Sequence, residues 1–215
     1  MNVEQARFNM IEQQIRPWEV LDPTVLDLLF VIKRENFTPP ACKALAFADM
    51  EIPIGNGQVM LAPKIEAKLL QELAPQQTDK ALEIGTGSGY MTALLAARTH
   101  FVVSVEIIPE LAELARANLA ACTNVRVETG DGARGWAPNA PYDVIVLSGA
   151  VAEIPAEILS QLAVGGRLAA IVGEEPVMTA QLVTCTAPGV YDTVKLFETV
   201  VPALQGFAAA PRFSF

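Results

Sequence analysis

Three glycines at alternate positions, Gly85, Gly87 and Gly89, are the residues of this chain whose spacing points most directly to a chemistry. They follow an apolar run that contains the acidic Glu83, and a segment of helical composition begins at Tyr90. A strand, a glycine turn and the start of a helix bring backbone N–H groups close to a bound nucleotide or nucleoside. The pattern therefore predicts a site for such a ligand at the end of this strand.

The spacing of the glycines discriminates between cofactors. Dinucleotide sites use G-x-G-x-x-G, whose third glycine allows the helix to pack tightly, but Tyr90 stands at that place here. The chain instead reads G-x-G-x-G, with Glu83 two residues before the first glycine. This pattern resembles the S-adenosylmethionine motif of class I methyltransferases, in which a carboxylate can face a cationic sulfonium. The alternative is a glycine-rich turn in another α/β protein, because short motifs give false positives.

Two further acids follow the next two predicted strands. Glu106 ends the β-branched segment 101–105, and an acid about 20 residues beyond the glycines is placed to accept both ribose hydroxyl hydrogens. That role serves NAD and S-adenosylmethionine equally. Asp131 lies between two glycines after a third strand at 125–128. In a methyltransferase, Asp131 would accept a hydrogen bond from the adenine amino group. The alternative is that Asp131 is an ordinary turn aspartate.

The elements that must position these residues alternate between strand and helix from Lys80 onward, which predicts a parallel sheet covered on both faces. Further strands are expected at 142–147, 167–172, about 180–186 and 191–198. The short link at 187–189 favours a hairpin, so we expect six parallel strands and an antiparallel last strand. The alternation predicts the α/β class, and the resemblance of the glycine motif implies a Rossmann-like class I methyltransferase fold with an N-terminal helical extension.

We expect a single methyltransferase domain over residues 1–215. Residues 1–75 would form a helical leader and a substrate and cofactor loop, residues 76–205 the Rossmann-like core, and residues 206–215 a tail. Asp22-Pro23 and Ala62-Pro63 each mark the start of a helix. Between these helices the turn-rich segment 52–58 reads as a loop. The tail either lies over the fold or is disordered.

Composition narrows the class of protein and its partners. The 215 residues are 52% hydrophobic and 18% charged, which disfavours disorder. A net charge of −9 argues against a nucleic-acid partner, which would need a basic surface. No uncharged apolar run reaches the ~18 residues of a membrane span, and we expect no secretion signal. The three cysteines lack C-x-x-C spacing and fit a reducing cytoplasm. No metal site is expected, because His100 is the only histidine and there is no acid–cysteine cluster.

Over nearly its whole length the chain resembles the protein-L-isoaspartate O-methyltransferase family. Beyond the glycine motif, the resemblance is carried by Ile52-Pro53-Ile54-Gly55-Asn56-Gly57-Gln58, with further pieces at 10–14, 34–39, 130–132, 140–143 and 165–168. The I-P-I-G-x-G-Q loop is the most diagnostic piece, because generic methyltransferases lack it. The resemblance implies transfer of the methyl group of S-adenosylmethionine to the side-branch carboxylate of isoaspartyl residues in proteins or peptides. This reaction starts the repair of damaged aspartate and asparagine sites.

The motif and the resemblance together predict the residues that bind S-adenosylmethionine. The turn would hold its methionine and ribose end, Glu106 its ribose, and the Asp131 region its adenine, while the family loop contributes mainly backbone groups. The expected cofactor-binding residues are Gln58, Val59, Met60, Glu83, Gly85, Thr86, Gly87, Ser88, Gly89, Glu106, Asp131 and Gly132.

One position departs from the family pattern. After G-x-G-Q the family typically reads Thr-Ile-Ser, and this chain has Leu61 in the catalytic position of the family serine. Leucine neither donates nor accepts a hydrogen bond. A carboxylate is already ionised at neutral pH and needs no general base. The loss of the serine would therefore remove only an orienting hydrogen bond, which costs about 1–3 kcal/mol, roughly 10- to 100-fold in rate.

Three functional hypotheses therefore remain from the sequence. The first is an isoaspartyl carboxyl methyltransferase. The second is the same scaffold with a changed acceptor, a small molecule or another protein group. The third is a cofactor-binding but catalytically silent interaction protein. The sequence leaves the oligomeric state open.

Overall fold

The N-terminal part of the chain forms helices and a small β-hairpin in the computed structural model, which describes residues 2–208. Its elements are α1 (Val3–Met10), α2 (Pro23–Val31), β1 (Ile52–Gly55), β2 (Gln58–Met60) and α3 (Pro63–Leu73). A π-helical segment, Ile11–Ile15, continues α1, and 3-10 turns cover Arg16–Trp18, Arg34–Asn36 and Pro40–Phe47. The start of α2 is as predicted, because Asp22 accepts a 2.8 Å hydrogen bond from the backbone N–H of Thr24.

The segment expected to be a loop at 52–58 is instead the hairpin β1–β2, in which Ile52 pairs with Met60. The prediction of a loop was wrong because strands of four and three residues are too short to display an alternating pattern.

A seven-stranded sheet follows. Its strands are β3 (Lys80–Ile84), β4 (Phe101–Glu106), β5 (Val125–Thr129), β6 (Tyr142–Val151), β7 (Leu162–Glu174), β8 (Val177–Ala187) and β9 (Val190–Thr199). The helices between them are α4 (Tyr90–Ala96), α5 (Pro109–Asn118) and α6 (Ala156–Leu159). The order across the sheet is β5-β4-β3-β6-β7-β8-β9.

The position of β3 explains where a ligand can bind. This strand lies between β4 and β6 and is parallel to both. The chain moves outward from β3 to β5 and then returns to β6 on the other side of β3. Such a reversal is a topological switch point, and open α/β sheets bind ligands beyond the carboxyl ends of the strands at this place.

The seven strands and the antiparallel last pair are confirmed. The one strand that opposes the other six is, however, the penultimate strand β8, which pairs antiparallel with β7 as well as with β9. A short turn from Glu174 to Val177 reverses the chain before the predicted hairpin, and the hairpin then reverses it again. The strand β9 is therefore antiparallel to its neighbour but shares the direction of the other five strands.

Both faces of the sheet are covered, as expected for parallel strands. Val102 of β4 packs into one apolar cluster with α3, α4 and α5, whereas Val103 and Val105 pack into a second cluster on the opposite face. The helix α6 ends at Leu159, and Leu162 already pairs with Tyr142 at the start of β7. Only residues 206–208 of the predicted tail are described, and 209–215 lie outside the described residues. No helix within residues 2–208 is long and apolar enough to cross a membrane.

Candidate active site

The predicted glycine turn connects β3 to α4 at the switch point. Gly85, Gly87 and Gly89 all have positive φ angles, of 90°, 53° and 87°, a conformation that favours glycine. A Cβ atom added to Gly89 would lie 2.9 Å from Cδ1 of Leu119, so the third glycine serves the packing of α4 against the end of α5.

The β1–β2 hairpin lies directly against this turn. A Cβ atom added to Gly87 would lie 3.1 Å from Cδ1 of Ile54. An open cavity lies between the hairpin and the turn. Several of the predicted residues line it together: Gln58, Val59, Gly85, Gly87, Glu106 and Gly132.

Glu106 connects the end of β4 to the glycine turn. One carboxylate oxygen accepts a 2.8 Å hydrogen bond from the backbone N–H of Gly87, and the other accepts a 3.0 Å bond from that of Ile108. The side chain is buried and lines the cavity. Because a carboxylate can accept about four hydrogen bonds, Glu106 retains lone pairs for a pair of ligand hydroxyls.

Glu83 is buried at the end of β3 and is held by three hydroxyl groups. One oxygen accepts hydrogen bonds from Thr92 and Ser104, the latter at 2.8 Å, and the other accepts a 2.8 Å bond from Ser148. Burial raises the pKa of Glu83 to about 7 against the opposing effect of these hydrogen bonds, and nearby Glu106 raises it further. Glu83 therefore holds the three hydroxyl side chains together beneath the glycine turn.

The three hydroxyl partners of Glu83 were not predicted. Ser104 and Thr92 each interrupt an otherwise apolar strand or helix, and such a polar residue in a buried element is the signal that could have identified them. Thr86 belongs to the same buried network, because its hydroxyl lies 2.6 Å from that of Ser104.

Asp131 lies at the surface beyond β5, outside the cavity wall. Its carboxylate accepts a 2.9 Å hydrogen bond from the backbone N–H of Ala133, which is the turn role that the sequence left open. Its neighbour Gly132 does line the cavity, and a Cβ atom there would come within 2.7 Å of Ile84. The adenine role of Asp131 stays a prediction.

The C-terminal segment crosses the site, which the sequence did not predict. The backbone N–H of Ala150 donates to the carbonyl of Pro202 at 2.9 Å, and the N–H of Leu204 donates to the carbonyl of Ala150 at 2.8 Å. Leu204 and Gln205 thereby line the cavity. The Leu204 side chain covers Gly85, where an added Cβ atom would lie 2.6 Å from its Cδ2. No local pattern marks this contact, because it depends on a bridge to β6.

Comparison with known proteins identifies the family. The family model described as protein-L-isoaspartate(D-aspartate) O-methyltransferase matches residues 5–201. The chain belongs to this family.

Individual relatives agree with the assignment. The chain is 45% identical to a protein-L-isoaspartate O-methyltransferase of Methanoculleus marisnigri over 169 residues, which are 78% of this chain and 77% of that protein. It is 43% identical to protein-L-isoaspartate O-methyltransferase 1 of Rhodopseudomonas palustris, over 79% of this chain and 70% of the relative.

A solved structure of similar fold comes from Plasmodium falciparum. It is a putative family member in complex with S-adenosyl-L-homocysteine, with a TM-score of 0.81 at 18% identity, covering 95% of this chain and 99% of that one. At this identity the likeness concerns the fold, and the predicted Rossmann-like methyltransferase fold is confirmed.

The position expected to hold the family serine is occupied by a buried leucine. Leu61 is 5% exposed and, with Val59 and Met60, lines a second, smaller pocket beside the glycine turn. Its backbone carbonyl accepts a 2.7 Å hydrogen bond from the Arg34 guanidinium, which also donates at 2.8 Å to the carbonyl of Ala46. The buried Arg34 side chain thus holds the backbone at Leu61 in place, although the Leu61 side chain carries no polar group.

Proposed function

We propose that this protein transfers the methyl group of S-adenosylmethionine to the side-branch carboxylate of isoaspartyl residues in proteins or peptides. The observation that carries the proposal is the contact between the family's diagnostic loop and the glycine turn, with Ile54 packed on Gly87. Generic methyltransferases have the glycine turn but lack this loop. The contact between the loop and the turn therefore favours the isoaspartyl family over a generic methyltransferase.

The residues at the site fit S-adenosylmethionine. A side chain at Gly85 or Gly87 would occupy the space between the glycine turn, Leu204 and Ile54. The free lone pairs of Glu106 suit the ribose hydroxyls, while apolar side chains such as Ile107, Ile108 and Leu111 line the cavity beside Glu106 and suit a flat purine. We therefore propose that the predicted cofactor-binding residues act as a group, in which Asp131 lies outside the cavity wall of the ligand-free protein.

When bound, S-adenosylmethionine supplies a methyl group activated by the sulfonium charge. The chain contributes alignment and exclusion of water: Ile54, Val59 and Leu61 form an apolar wall beside the turn. An acceptor carboxylate is already ionised at neutral pH, so the chain's residues need not remove a proton. Catalysis then depends on holding the acceptor oxygen in line within a desolvated site.

A methyltransferase with a different methyl acceptor is the second candidate function, and the buried Leu61 favours it. Leu61 is buried and offers no hydrogen bond to an acceptor, and burying a carboxylate without a partner is unfavourable. The same scaffold could accept a less polar group, a small molecule or another protein group. We propose this changed acceptor as the alternative to the isoaspartyl reaction.

The three unpaired cysteines, Cys42, Cys122 and Cys185, support a further proposal, that the protein acts in the cytoplasm, where thiols stay reduced.

A methyl-transfer assay tests the function directly. Labelled S-adenosylmethionine is supplied with an isoaspartyl peptide, with its normal aspartyl counterpart and without peptide, and calorimetry measures the binding of S-adenosylhomocysteine. Transfer to the isoaspartyl peptide alone supports the proposal. Binding without transfer to either peptide favours a changed acceptor or a silent scaffold, and absence of binding contradicts all methyltransferase hypotheses.

A further inference from the structure

The buried side chain of Gln161 ties the β5–β6 loop, residues 130–136, to the end of α6. Gln161 is 8% exposed and lies between α6 and β7. Its Oε1 atom accepts a 2.7 Å hydrogen bond from the backbone N–H of Trp136. Its Nε2 atom donates at 2.7 Å to the carbonyl of Arg134 and at 3.1 Å to that of Glu157. One amide group therefore joins two points of the loop to the helix.

These contacts require an amide at position 161. One terminal atom of the side chain faces an N–H donor and the other faces two carbonyl acceptors, so one atom must accept and the other must donate. Leucine can do neither, and an ionised glutamate can only accept. The loop also closes tightly on the amide, because a Cβ atom added to Gly135 would lie 2.4 Å from Nε2 of Gln161.

The tethered loop carries part of the wall of the larger cavity. Gly132 lines this cavity, whereas Gln161 lies outside its wall. The carbonyl of Gly132 accepts a 2.8 Å hydrogen bond from the N–H of Gly135, so the turn held by Gln161 begins at the cavity wall. The start of the loop is fixed separately, because the N–H of Gly130 donates at 2.9 Å to the carbonyl of Glu106. The loop is thus anchored at both ends beside the cavity.

We propose that Gln161 is a positioning residue for the cofactor, which fixes the β5–β6 loop and so preorganises the adenine side of the larger cavity without touching the ligand. This inference rests on the proposed function, which supplies the cofactor and places its adenine in the Asp131 region. A loop that is already ordered loses less conformational entropy on binding than one that the ligand must order. Loss of the tether should therefore lower cofactor affinity in a protein that remains folded.

Calorimetry with S-adenosylhomocysteine at pH 5.5 and pH 8 tests the inference. Gln161→Leu removes both hydrogen-bonding atoms, and we expect it to bind about 10-fold more weakly than the wild type at both pH values. Gln161→Glu should bind better than Gln161→Leu at pH 5.5, because burial against carbonyls favours the neutral carboxyl, which can donate and accept as the amide does. This advantage should shrink at pH 8 as the carboxyl ionises.

The groups around the amide leave this signature readable. Arg134 and Glu157 contribute backbone carbonyls, and their side chains are exposed. Tyr142, whose hydroxyl donates at 2.7 Å to the carbonyl of Trp136, stays neutral because burial raises its pKa. Each affinity is expressed relative to that of the wild type at the same pH, so that titration of the protein's own carboxyl groups cancels.

Gln77→Leu is the matched control. Gln77 is an exposed glutamine that donates a 3.0 Å hydrogen bond to the carbonyl of Ala97 and lies outside the cavity wall. This variant loses a hydrogen bond from a side-chain amide to a backbone carbonyl, and it should bind S-adenosylhomocysteine like the wild type.

Two results would overturn the inference. Unchanged affinity in Gln161→Leu with a lower unfolding temperature would show that Gln161 stabilises the fold only. Equal affinities of Gln161→Leu and Gln161→Glu at pH 5.5 would show that the hydrogen bonds of the amide do not carry the effect. If Gln161→Leu does not fold, the relative affinity of Gln161→Glu decides, since it must rise as the pH falls from 8 to 5.5. A wild type that does not bind S-adenosylhomocysteine would contradict the proposed function itself, which is distinct from binding that the variants retain.

Discussion

The guanidinium group of Arg34 donates a 2.7 Å hydrogen bond to the backbone carbonyl of Leu61. This bond joins a 3-10 turn of the N-terminal part to Leu61, the position where we expect the family to have its active-site serine. The main chain of the loop is therefore held in place by a buried cation, independently of the side chain at position 61. The protein can keep its loop geometry while the polarity of the acceptor site changes.

Replacing Leu61 by serine should improve isoaspartyl methylation. If the family serine orients the acceptor carboxylate, Leu61→Ser restores one hydrogen bond, and kcat/KM for an isoaspartyl peptide should rise about 10- to 100-fold. S-adenosylhomocysteine affinity should stay nearly normal, because the backbone contacts remain. Leu61→Ala is the control, since it removes the same buried side chain without adding a hydroxyl. High wild-type activity that Leu61→Ser does not improve would show that the hydroxyl is dispensable.

Removing the Arg34 guanidinium should destabilise the protein. In Arg34→Met the buried carbonyls of Ala46 and Leu61 lose their donors. At about 1–3 kcal/mol for each unsatisfied group, the free energy of unfolding should fall by roughly 2–6 kcal/mol. Urea denaturation at pH 7 measures this change. The exposed Arg134→Met should have little effect, and equal stability of the two variants would contradict the role given to Arg34.

Truncating Glu106 should weaken cofactor binding. Glu106→Ala removes the proposed partner of the ribose hydroxyls together with the acceptor for the Gly87 N–H. We expect S-adenosylhomocysteine to bind about 1.5–3 kcal/mol more weakly, as measured by calorimetry. Glu110→Ala, an exposed acid in the first turn of α5, should bind normally. A folded Glu106→Ala protein of unchanged affinity would exclude Glu106 from the site.

The ligand-free protein should lose stability as the pH rises because of Glu66. Its carboxyl has a folded-state pKa of about 8 against an ordinary value of 4.5, so the folded state binds more protons than the unfolded state between these values. The free energy of unfolding therefore falls with rising pH in that window. Glu66→Gln should be close to the wild type at pH 5 and more stable than it at pH 8.5. Urea denaturation at both values measures the difference, and an equal slope for both proteins would contradict it.

The sequence by itself determined the features that depend on local pattern. The G-x-G-x-G turn, the acid Glu106 at the end of its strand, and the seven strands follow from periodicity and from turn residues, because backbone conformation responds to neighbours along the chain. The family loop at 52–58 was also recognisable, although its pairing as a hairpin was not. Leu61 stood out because a single residue departs from a familiar pattern.

Only the tertiary structure decided which side chains share a pocket. Glu66 looks like one more acid in an amphipathic helix, and Arg34 and Tyr90 lie 32 residues before and 24 residues after it. All three are nevertheless buried: Glu66 and Tyr90 line the smaller pocket, and Arg34 lies beside Glu66. The same holds for Leu204, which reaches Gly85 through a backbone bridge to β6. Such contacts join residues far apart in the chain, and the burial that leaves a polar atom unpaired exists only once the elements have packed.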